Sequence, residues 1–267
     1  MSACARRTRL LVVGTLVVAV AAILCVRARG VPGLSRDEMW ARIQREGVLR
    51  VAMDASYPPF EIEENGVFRG YDVDLAQEIG RRLGLKVAFV DVGFDSLYDA
   101  LQAGRCDVII SALPYDRQRT TVAVFTGGYF NAGQVIVTRK DDTRIEREAD
   151  LAGRRVAVEM GSQAHAEALR LRDRAGVALQ IVTARSSDEA LEMVRSGQVD
   201  AAIADSIAAR IAIRAKSGLA IRGDPLTDES FVIAVRQGSP GLYSAVKGIL
   251  DALRGEGWLD QLADRWL

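Results

Sequence analysis

Residues 97–111 read Leu-Tyr-Asp-Ala-Leu-Gln-Ala-Gly-Arg-Cys-Asp-Val-Ile-Ile-Ser, and residues 190–204 read Ala-Leu-Glu-Met-Val-Arg-Ser-Gly-Gln-Val-Asp-Ala-Ala-Ile-Ala. Each stretch predicts a short amphipathic helix that ends at a glycine, with an aspartate three residues later and then an apolar strand. The first strand leads to Ser111 and the second to Asp205. Because ligands of open α/β folds bind at the carboxyl ends of the strands, both polar residues are expected at a binding edge.

The similarity between the two halves extends upstream of these stretches. Both halves predict the order βαβαβ, which is typical of a parallel sheet with helices on both faces. We therefore expect an α/β protein with two lobes that face one cleft; a single large sheet is the alternative that the pattern leaves open. The segments are strands 49–53 and 86–91 with helix 72–83 in the first half, and strands 155–159 and 179–183 with helix 162–175 in the second.

The amino terminus is typical of an export signal. Arg6, Arg7 and Arg9 precede an uncharged apolar run over residues 10–26. The run is long for a signal peptide and short for a membrane-spanning helix, so residues 1–30 are predicted as a signal peptide or a membrane anchor. Cys25 adds a lipid anchor as a third alternative. All three alternatives place the rest of the chain in the periplasm or on the outer face of the cytoplasmic membrane.

Charge and composition exclude several classes of function. The chain has 35 basic and 35 acidic residues, and the first 30 residues hold five of the basic and none of the acidic ones. The remaining body is acidic, which argues against nucleic acid as a partner. It contains Cys106 and His165 but no further cysteine or histidine, so we predict no intrachain disulfide, no metal site and no cofactor. Ser35 to Glu38 predict a capping box for a first helix that ends at Gly47.

Polar and aromatic side chains cluster just beyond the predicted strands of the first half. The proline turn after strand 49–53 is expected to hold its neighbours at the edge of the cleft. A carboxylate, an aromatic wall, a hydroxyl and a guanidinium would converge there, and the guanidinium could bind a carboxylate with two hydrogen bonds. The candidates are Asp54, Tyr57, Phe60, Phe94, Ser111 and Arg119.

The second half supplies a complementary set. A glycine–serine turn at the start of a helix offers free N–H groups to an anion, and Asp205 could bind an ammonium group. The candidates are Glu159, Gly161, Ser162, Gln163 and Asp205. Together the two sets suit a zwitterion. The alternatives are that Tyr57 and Phe60 are core aromatics, that Glu159 faces solvent, and that Asp107 and Asp200 are turn residues.

These residues resemble the family 3 extracellular solute-binding proteins, the polar amino-acid receptors of ATP-driven importers. The resemblance covers residues 47–267. It rests on Asp54-x-x-Tyr57-x-Pro59-Phe60-Glu61, Gly70-Tyr71-Asp72-Val73-Asp74-Leu75, Arg119 seven residues before Thr126, Gly153-x-x-Val156-x-Val158-x-x-Gly161-Ser162 and Gly255-x-Gly257-Trp258-x-x-x-Leu262-x-x-x-Trp266.

The resemblance implies a two-lobed periplasmic-binding-protein-like fold whose lobes are joined by two crossing strands, near 133–139 and 231–235. Lobe 1 would comprise 31–134 plus 232–267, and lobe 2 would comprise 135–231. It further implies a monomer that delivers an amino acid or a related amine to the permease subunits of an ABC importer, with the ligand held between closing lobes.

Roles of individual residues also follow from the resemblance. Tyr57 and Phe94 would enclose the ligand side chain, Asp54 and Ser111 would contact it, Arg119 would bind its carboxylate and Asp205 its ammonium group. One position departs from the family: Pro114 stands where a serine or threonine usually donates to the carboxylate, and proline has neither a hydroxyl nor an N–H. Carboxylate binding would therefore depend more on Arg119 and on Gly161, Ser162 and Gln163.

The sequence leaves three functions open. The first is ligand capture without chemistry, and the second is an exported enzyme similar to cyclohexadienyl dehydratase. Such an enzyme must neutralise two carboxylates, which Asp205 would repel. The third is the sensor module of a receptor. Asp54 and Glu159 are expected near the ligand side chain, and no lysine or arginine matches that end of the pocket, so we expect a cationic amino acid to be preferred over an acidic one. If Glu159 instead faces solvent, Asp54 alone would suit a glutamine-like amide equally well.

Overall fold

The computed structural model describes residues 37–175, 178–216 and 218–267. Its strands form two larger sheets, each with five strands among the described residues. The segment 1–30, with its predicted signal or anchor, lies outside the described residues, as does Ser35. Among the residues described, no helix is both long enough and apolar enough to cross a membrane, and no group of acidic, histidine or cysteine side chains could hold a metal ion.

The helices are α1 (Glu38–Glu46), α2 (Tyr71–Leu83), α3 (Leu97–Gln102), α4 (Gln163–Ala175), α5 (Ser187–Arg195), α6 (Ser206–Ala215), α7 (Pro240–Gly255) and α8 (Trp258–Trp266). The strands are β1 (Val48–Met53), β2 (Ser56–Tyr57), β3 (Glu61–Glu64), β4 (Val67–Arg69), β5 (Lys86–Asp91), β6 (Val108–Ile109), β7 (Ala123–Phe125), β8 (Phe130–Asn131), β9 (Gln134–Arg139), β10 (Arg155–Glu159), β11 (Gln180–Ala184), β12 (Ala201–Asp205), β13 (Leu219–Arg222), β14 (Ser230–Phe231) and β15 (Ala234–Arg236). Short 3-10 helices cover Phe94–Ser96, Arg117–Arg119 and Glu148–Leu151.

The predicted βαβαβ unit is present twice. In the first sheet β1 pairs in parallel with β5 on one side and with β6 on the other, and the full order is β5-β1-β6-β15-β7. In the second sheet β10 takes the place of β1, and the order is β11-β10-β12-β9-β13. The fourth strand runs antiparallel to the third in both sheets. The prediction of two lobes, rather than one large sheet, is confirmed.

Two short strands connect the sheets. β8 pairs with β14 in an antiparallel ribbon that belongs to neither large sheet. The crossing strands expected at 133–139 and 231–235 are displaced, because 134–139 lies within the second sheet as β9 and 234–236 within the first as β15. Apolar strands that cross between lobes and apolar strands that continue inside a sheet have the same sequence pattern. The lobe limits at 134 and 231 remain our proposal.

Two details of the first lobe differ from the sequence analysis. Phe60, expected at the cleft edge, is fully buried and packs against the rings of Tyr71, Phe130 and Phe231. The turn before β3 directs this ring inward, where its apolar area is removed from water. The first helix is capped by Asp37, whose side chain accepts a hydrogen bond from the Trp40 N–H, rather than by the expected capping box.

Candidate functional site

A cavity of about 350 Å³ opens at the carboxyl edge of the first sheet. Its lining residues come from the loop after β1, from β2 and β3, from the loops after β5 and β6, and from the connecting strand β14. They are Asp54, Ser56, Tyr57, Glu61, Phe94, Ser111, Ala112, Pro114 and Phe231. The lining thus includes Asp54, Tyr57, Phe94 and Ser111, the first-lobe candidates other than Phe60 and Arg119.

A second cavity is larger but lies away from the strand ends. It has a volume of about 610 Å³ and is lined mainly by α1 and by arginines, including Arg42 and Arg50. Both of these arginines are ion-paired with the buried carboxylate of Asp107. Since ligands of α/β sheets bind beyond the carboxyl ends of the strands, we take the smaller cavity as the candidate site.

Asp54 organises one side of the cavity. One of its carboxylate oxygens accepts a hydrogen bond from the Phe94 N–H at 2.8 Å, and the other accepts one from the Ser56 hydroxyl at 2.6 Å. The N–H of Asp54 donates to the Ser111 hydroxyl at 3.0 Å. The carboxylate is therefore fixed between the loop after β1 and the 3-10 helix that follows β5, and it carries its charge into the cavity.

Two aromatic rings stand at the mouth of the cavity. The exposed fractions of Tyr57 and Phe94 are 48% and 47%, which is unusual for large apolar side chains. Tyr57 is held by stacking on Phe60, with the ring centroids 5.9 Å apart. Partial burial raises the pKa of Tyr57, and the nearby carboxylate of Asp205 raises it further.

A chain of hydrogen bonds runs beneath the cavity. The Ser111 hydroxyl donates to Glu61 Oε1 at 2.8 Å. The Ala112 N–H and the Tyr129 hydroxyl both donate to Asp72 Oδ2, the latter at 2.8 Å. Ala112 has a φ of 40°, a left-handed conformation that alanine rarely adopts. The bond to Asp72 offsets part of this strain and directs the Ala112 N–H away from the cavity.

Arg119 does not line the cavity. It ends the 3-10 helix Arg117–Arg119, and its guanidinium lies 4.9 Å from the centroid of the Tyr98 ring. Its Nε is 3.7 Å from Asp116 Oδ2, and half of its side chain is exposed. The carboxylate-binding role that the family resemblance implies for Arg119 remains a prediction.

Glu159 occupies the end of β10 and caps a helix. Its Oε2 accepts hydrogen bonds from the N–H and the hydroxyl of Ser187, at 3.0 and 2.8 Å. The carboxylate therefore stabilises the positive end of α5, as expected for an acidic group at a helix N-terminus. It is not among the residues that line the cavity.

The turn at the start of α4 has the geometry of a helix cap. Gly161 has a φ of 77°, and its N–H donates to His165 Nδ1 at 3.1 Å. The Ser162 hydroxyl accepts from the His165 N–H and donates to the Glu159 carbonyl. The Gln163 side chain donates to Glu229 at 2.7 Å. These second-lobe candidates lie close together, but they do not line the cavity of the first lobe.

Asp205 ends β12 and also caps a helix. One of its oxygens accepts a hydrogen bond from the Ala208 N–H at 2.8 Å, at the start of α6. No hydrogen bond to its second oxygen occurs within the described ranges. Asp205 therefore has an acceptor left for a ligand, at the carboxyl end of β12.

Sequence reasoning missed several residues of the cavity lining as site residues. Ser56, Glu61, Ala112 and Phe231 line it, and Pro114, noted only as a departure from the family, does so as well. Glu61 could have been found from the turn Pro58-Pro59-Phe60-Glu61, because a charged residue directly after a buried aromatic residue is a candidate for a site at the edge of the sheet. Nothing local to Phe231 predicts its place in the site, since it arrives from a distant part of the chain.

The chain belongs to the bacterial extracellular solute-binding proteins, family 3, whose family model matches residues 49–267. A probable amino-acid ABC transporter-binding protein of Haemophilus influenzae is 30% identical over 86% of this chain and 88% of its own length. An L-arginine-binding protein of Pseudomonas aeruginosa is 30% identical over 82% of this chain and 87% of its own length. An L-cystine-binding protein of Bacillus subtilis is 28% identical over 94% of both chains.

Solved structures agree with the fold. An ancestral cyclohexadienyl dehydratase has a TM-score of 0.76 and 25% identity, and the match covers 88% of this chain and 97% of that one. An ancestral cationic amino-acid solute-binding protein has a TM-score of 0.59 and 33% identity, over 85% of this chain and 99% of that one. Both similarities support the two-lobed α/β architecture predicted from the sequence.

Proposed function

We propose that this protein is the extracytoplasmic receptor of an ABC importer, and that it binds a polar amino acid with a preference for a cationic side chain. The ligand is held between the two lobes without chemical change and is delivered to the permease subunits. Asp54, Tyr57, Phe94 and Ser111 contact the side chain, Arg119 and the Gly161–Gln163 turn contact the carboxylate, and Asp205 contacts the ammonium group.

The hydrogen-bonding capacity of the cavity lining is the observation that carries the cationic preference. The hydroxyls of Ser56 and Ser111 and the N–H groups of Phe94 and Ala112 all donate to carboxyl groups of the protein. Pro114 has no N–H to offer. The lining contains no lysine or arginine. A ligand that brings its own N–H donors and a positive charge complements this acceptor-rich surface, and it can also stack on the exposed rings.

The relatives support the same class of ligand. The related proteins include an L-arginine-binding and an L-cystine-binding protein, and one structural neighbour is a cationic amino-acid solute-binding protein. An enzyme similar to cyclohexadienyl dehydratase is the second candidate, because an ancestral protein of that kind resembles this fold closely. A cavity rich in carboxyl groups opposes it, since the substrate would bring further carboxylates.

Binding experiments on the purified full-length protein test the proposal. Arginine, lysine, ornithine, glutamine, cystine and glutamate are compared by calorimetry, and a bound ligand at 100 times its dissociation constant should stabilise the fold by about 2.7 kcal/mol. We expect arginine, lysine or ornithine to bind most tightly. If glutamate displaced a bound ligand better than arginine, the proposed charge preference would be wrong.

Substitution of Arg119 tests how the carboxylate is held. We expect Arg119→Ala to reduce the affinity more than tenfold while the fold is retained, because Pro114 removes another donor from the same region. Arg117→Ala is the matched control in the same short helix and should leave the affinity within about threefold. Equal, small losses for both variants would remove Arg119 from the site.

Lobe closure is tested by small-angle scattering. The proposed ligand contacts are divided between the lobes, so saturating ligand should reduce the radius of gyration by rotation about the β8–β14 ribbon. An unchanged radius, with binding established by calorimetry, would contradict the closing of the lobes.

A further inference from the structure

Two buried carboxyl groups lie side by side under the cavity. Glu61, on β3, is 1% exposed and forms part of the cavity wall. Asp72, in the first turn of α2, is fully buried one layer deeper. Buried carboxyl groups are costly unless they are neutral or paired, so the partners of both groups need to be identified.

One oxygen of each carboxyl group has donors. Glu61 Oε1 accepts from the Ser111 hydroxyl, and Asp72 Oδ2 accepts from the Ala112 N–H and the Tyr129 hydroxyl. The other two oxygens, Glu61 Oε2 and Asp72 Oδ1, have no donor among the residues that the structure describes. The two side chains are held next to each other, because the Asp72 N–H donates to the carbonyl of Phe60, the residue before Glu61, at 2.9 Å, and because their donors Ser111 and Ala112 are neighbours in the chain.

No cation contacts this pair among the residues that the structure describes; the Arg210 guanidinium acts on Tyr71, which packs beneath the pair. Within residues 37–175, 178–216 and 218–267, no lysine or arginine donates a hydrogen bond to either group. The titratable groups that face the pair are acidic or phenolic: Asp54 and Tyr57 on the cavity side, and Tyr71 and Tyr129 below. Two carboxyl groups in contact without a cation cannot both be ionised, because like charges at this separation repel strongly.

We propose that Glu61 and Asp72 share one proton, carried by Glu61 and donated to Asp72, and that neutral Glu61 is thereby a positioning residue for the ligand site. The inference rests on the proposed function and deepens it, since it defines what the cavity wall offers to a ligand. The proton satisfies the two oxygens that otherwise lack a donor.

The effect of burial on the two groups agrees with this arrangement. Burial raises the pKa of Glu61 far above its ordinary value, and the negative charge of Asp72 raises it further. Burial also raises the pKa of Asp72, while the hydrogen bonds from Ala112, Tyr129 and Glu61 oppose that rise. Glu61 is therefore the member of the pair that keeps the proton at neutral pH.

The shared proton fixes the polarity of the site. Ser111 must donate its hydrogen to Glu61, and it accepts from the Asp54 N–H. It can therefore offer a ligand only an acceptor. The Ala112 N–H is likewise committed to Asp72. The pair thus withdraws the Ser111 hydrogen and the Ala112 N–H from the cavity and leaves the Ser111 oxygen as an acceptor, which favours N–H groups of a ligand over its oxygens.

The pH dependence of stability tests the shared proton without any ligand. Because the pKa of Glu61 is raised on folding, its contribution to stability is present below the ordinary pKa and is lost as the pH rises towards the raised value. Between about pH 7 and 9, the unfolding equilibrium constant of the wild-type protein should rise about tenfold per pH unit relative to that of Glu61→Gln. Glu64→Gln, at an exposed position of the same strand, should show no such divergence.

A direct measurement covers the case in which Glu61→Gln does not fold. Nuclear magnetic resonance of wild-type protein with 13C-labelled glutamate carboxyl groups should show one glutamate that remains protonated at about pH 8. A constant stability ratio between wild type and Glu61→Gln, or a spectrum in which every glutamate is ionised at that pH, would overturn the shared proton.

Calorimetry with arginine tests the positioning role. Glu61→Gln keeps an acceptor for Ser111 and a donor for Asp72, so it should bind arginine within about threefold of the wild-type affinity. Glu61→Ala removes both and should lose at least tenfold. Equal affinities for the two variants would overturn the positioning role. If wild-type protein binds no amino acid at all, the proposed function fails, whereas the proton measurements still decide the state of the pair.

Discussion

In both βαβαβ units a carboxylate at the end of the first strand accepts an N–H at the start of a later helical segment, but only one of the two carboxylates lines the cavity. Asp54 follows β1 and accepts the N–H of Phe94, while Glu159 ends β10 and accepts the N–H of Ser187. Each carboxylate thus fixes the start of the helical segment after the next strand. Asp54 lines the cavity and Glu159 does not. The repeated local interaction therefore brings only one of the two carboxylates into the cavity.

The aspartates that follow Gly104 and Gly197 also differ between the two units, in the number of groups that each one binds. Asp107 accepts the backbone N–H of Arg50, and Asp200 accepts that of Arg155, so both tie the third strand of the unit to the first. The Asp107 side chain is fully buried and also binds the guanidinium groups of Arg42 and Arg50. The Asp200 side chain is 21% exposed and has one loose ion pair. Both aspartates lie in turns, as predicted, but Asp107 binds more groups than Asp200 does.

Substitution of the glycine before the first helix of each unit should give the largest difference in stability between the two units. Gly70 has a φ of 137°, and a Cβ there would lie 2.0 Å from the Phe60 carbonyl oxygen, which belongs to the backbone. Gly161 has a φ of 77° and open space around it. Gly70→Ala should destabilise the protein by more than about 4 kcal/mol, and Gly161→Ala by about 1–2 kcal/mol. Urea unfolding measures both, and similar losses would show that the close contact at Gly70 is relieved elsewhere.

Substitution of the aspartates that follow Gly104 and Gly197 should give the next largest difference in stability. Asp107→Ala leaves two arginines and a backbone N–H without their acceptor, and it should cost about 3 kcal/mol because the arginines are partly exposed. Asp200→Ala should cost about 1 kcal/mol. The measurement is the free energy of unfolding in urea. Equal losses would mean that the buried ion pairs of Asp107 add nothing to the hydrogen bond that both aspartates accept.

The carboxylates at the ends of the first strands, Asp54 and Glu159, should give the smallest difference, and it should appear in ligand affinity rather than in stability. Asp54→Asn and Glu159→Gln each keep an acceptor for the helix start and remove only the charge. Asp54→Asn should weaken the binding of arginine about tenfold, which corresponds to about 1.4 kcal/mol. Glu159→Gln should leave it within about threefold. A larger loss for Glu159→Gln would place the side-chain end of the ligand in the second lobe.

Much of this protein could be predicted because the signals are local. Amphipathic periodicity, glycine stops and apolar strands located α2 at Tyr71–Leu83, β5 at Lys86–Asp91 and β10 at Arg155–Glu159 to within one residue. The family motifs predicted the two lobes and placed Asp54, Tyr57, Phe94 and Ser111 at one edge. These features depend on residues that are close in the chain and on the rule that parallel strands end at the same edge of a sheet, so they can be predicted from the sequence.

The tertiary structure alone decided which side chains are buried and what they bind. Phe60 and Tyr57 stand in the same turn, yet one is in the core and the other is half exposed. Glu61 meets Asp72 and Ser111 only because β3, α2 and the end of β6 converge under the cavity. Burial, the sharing of a proton and the direction of a donor are set by groups far apart in the chain, and no local pattern encodes them.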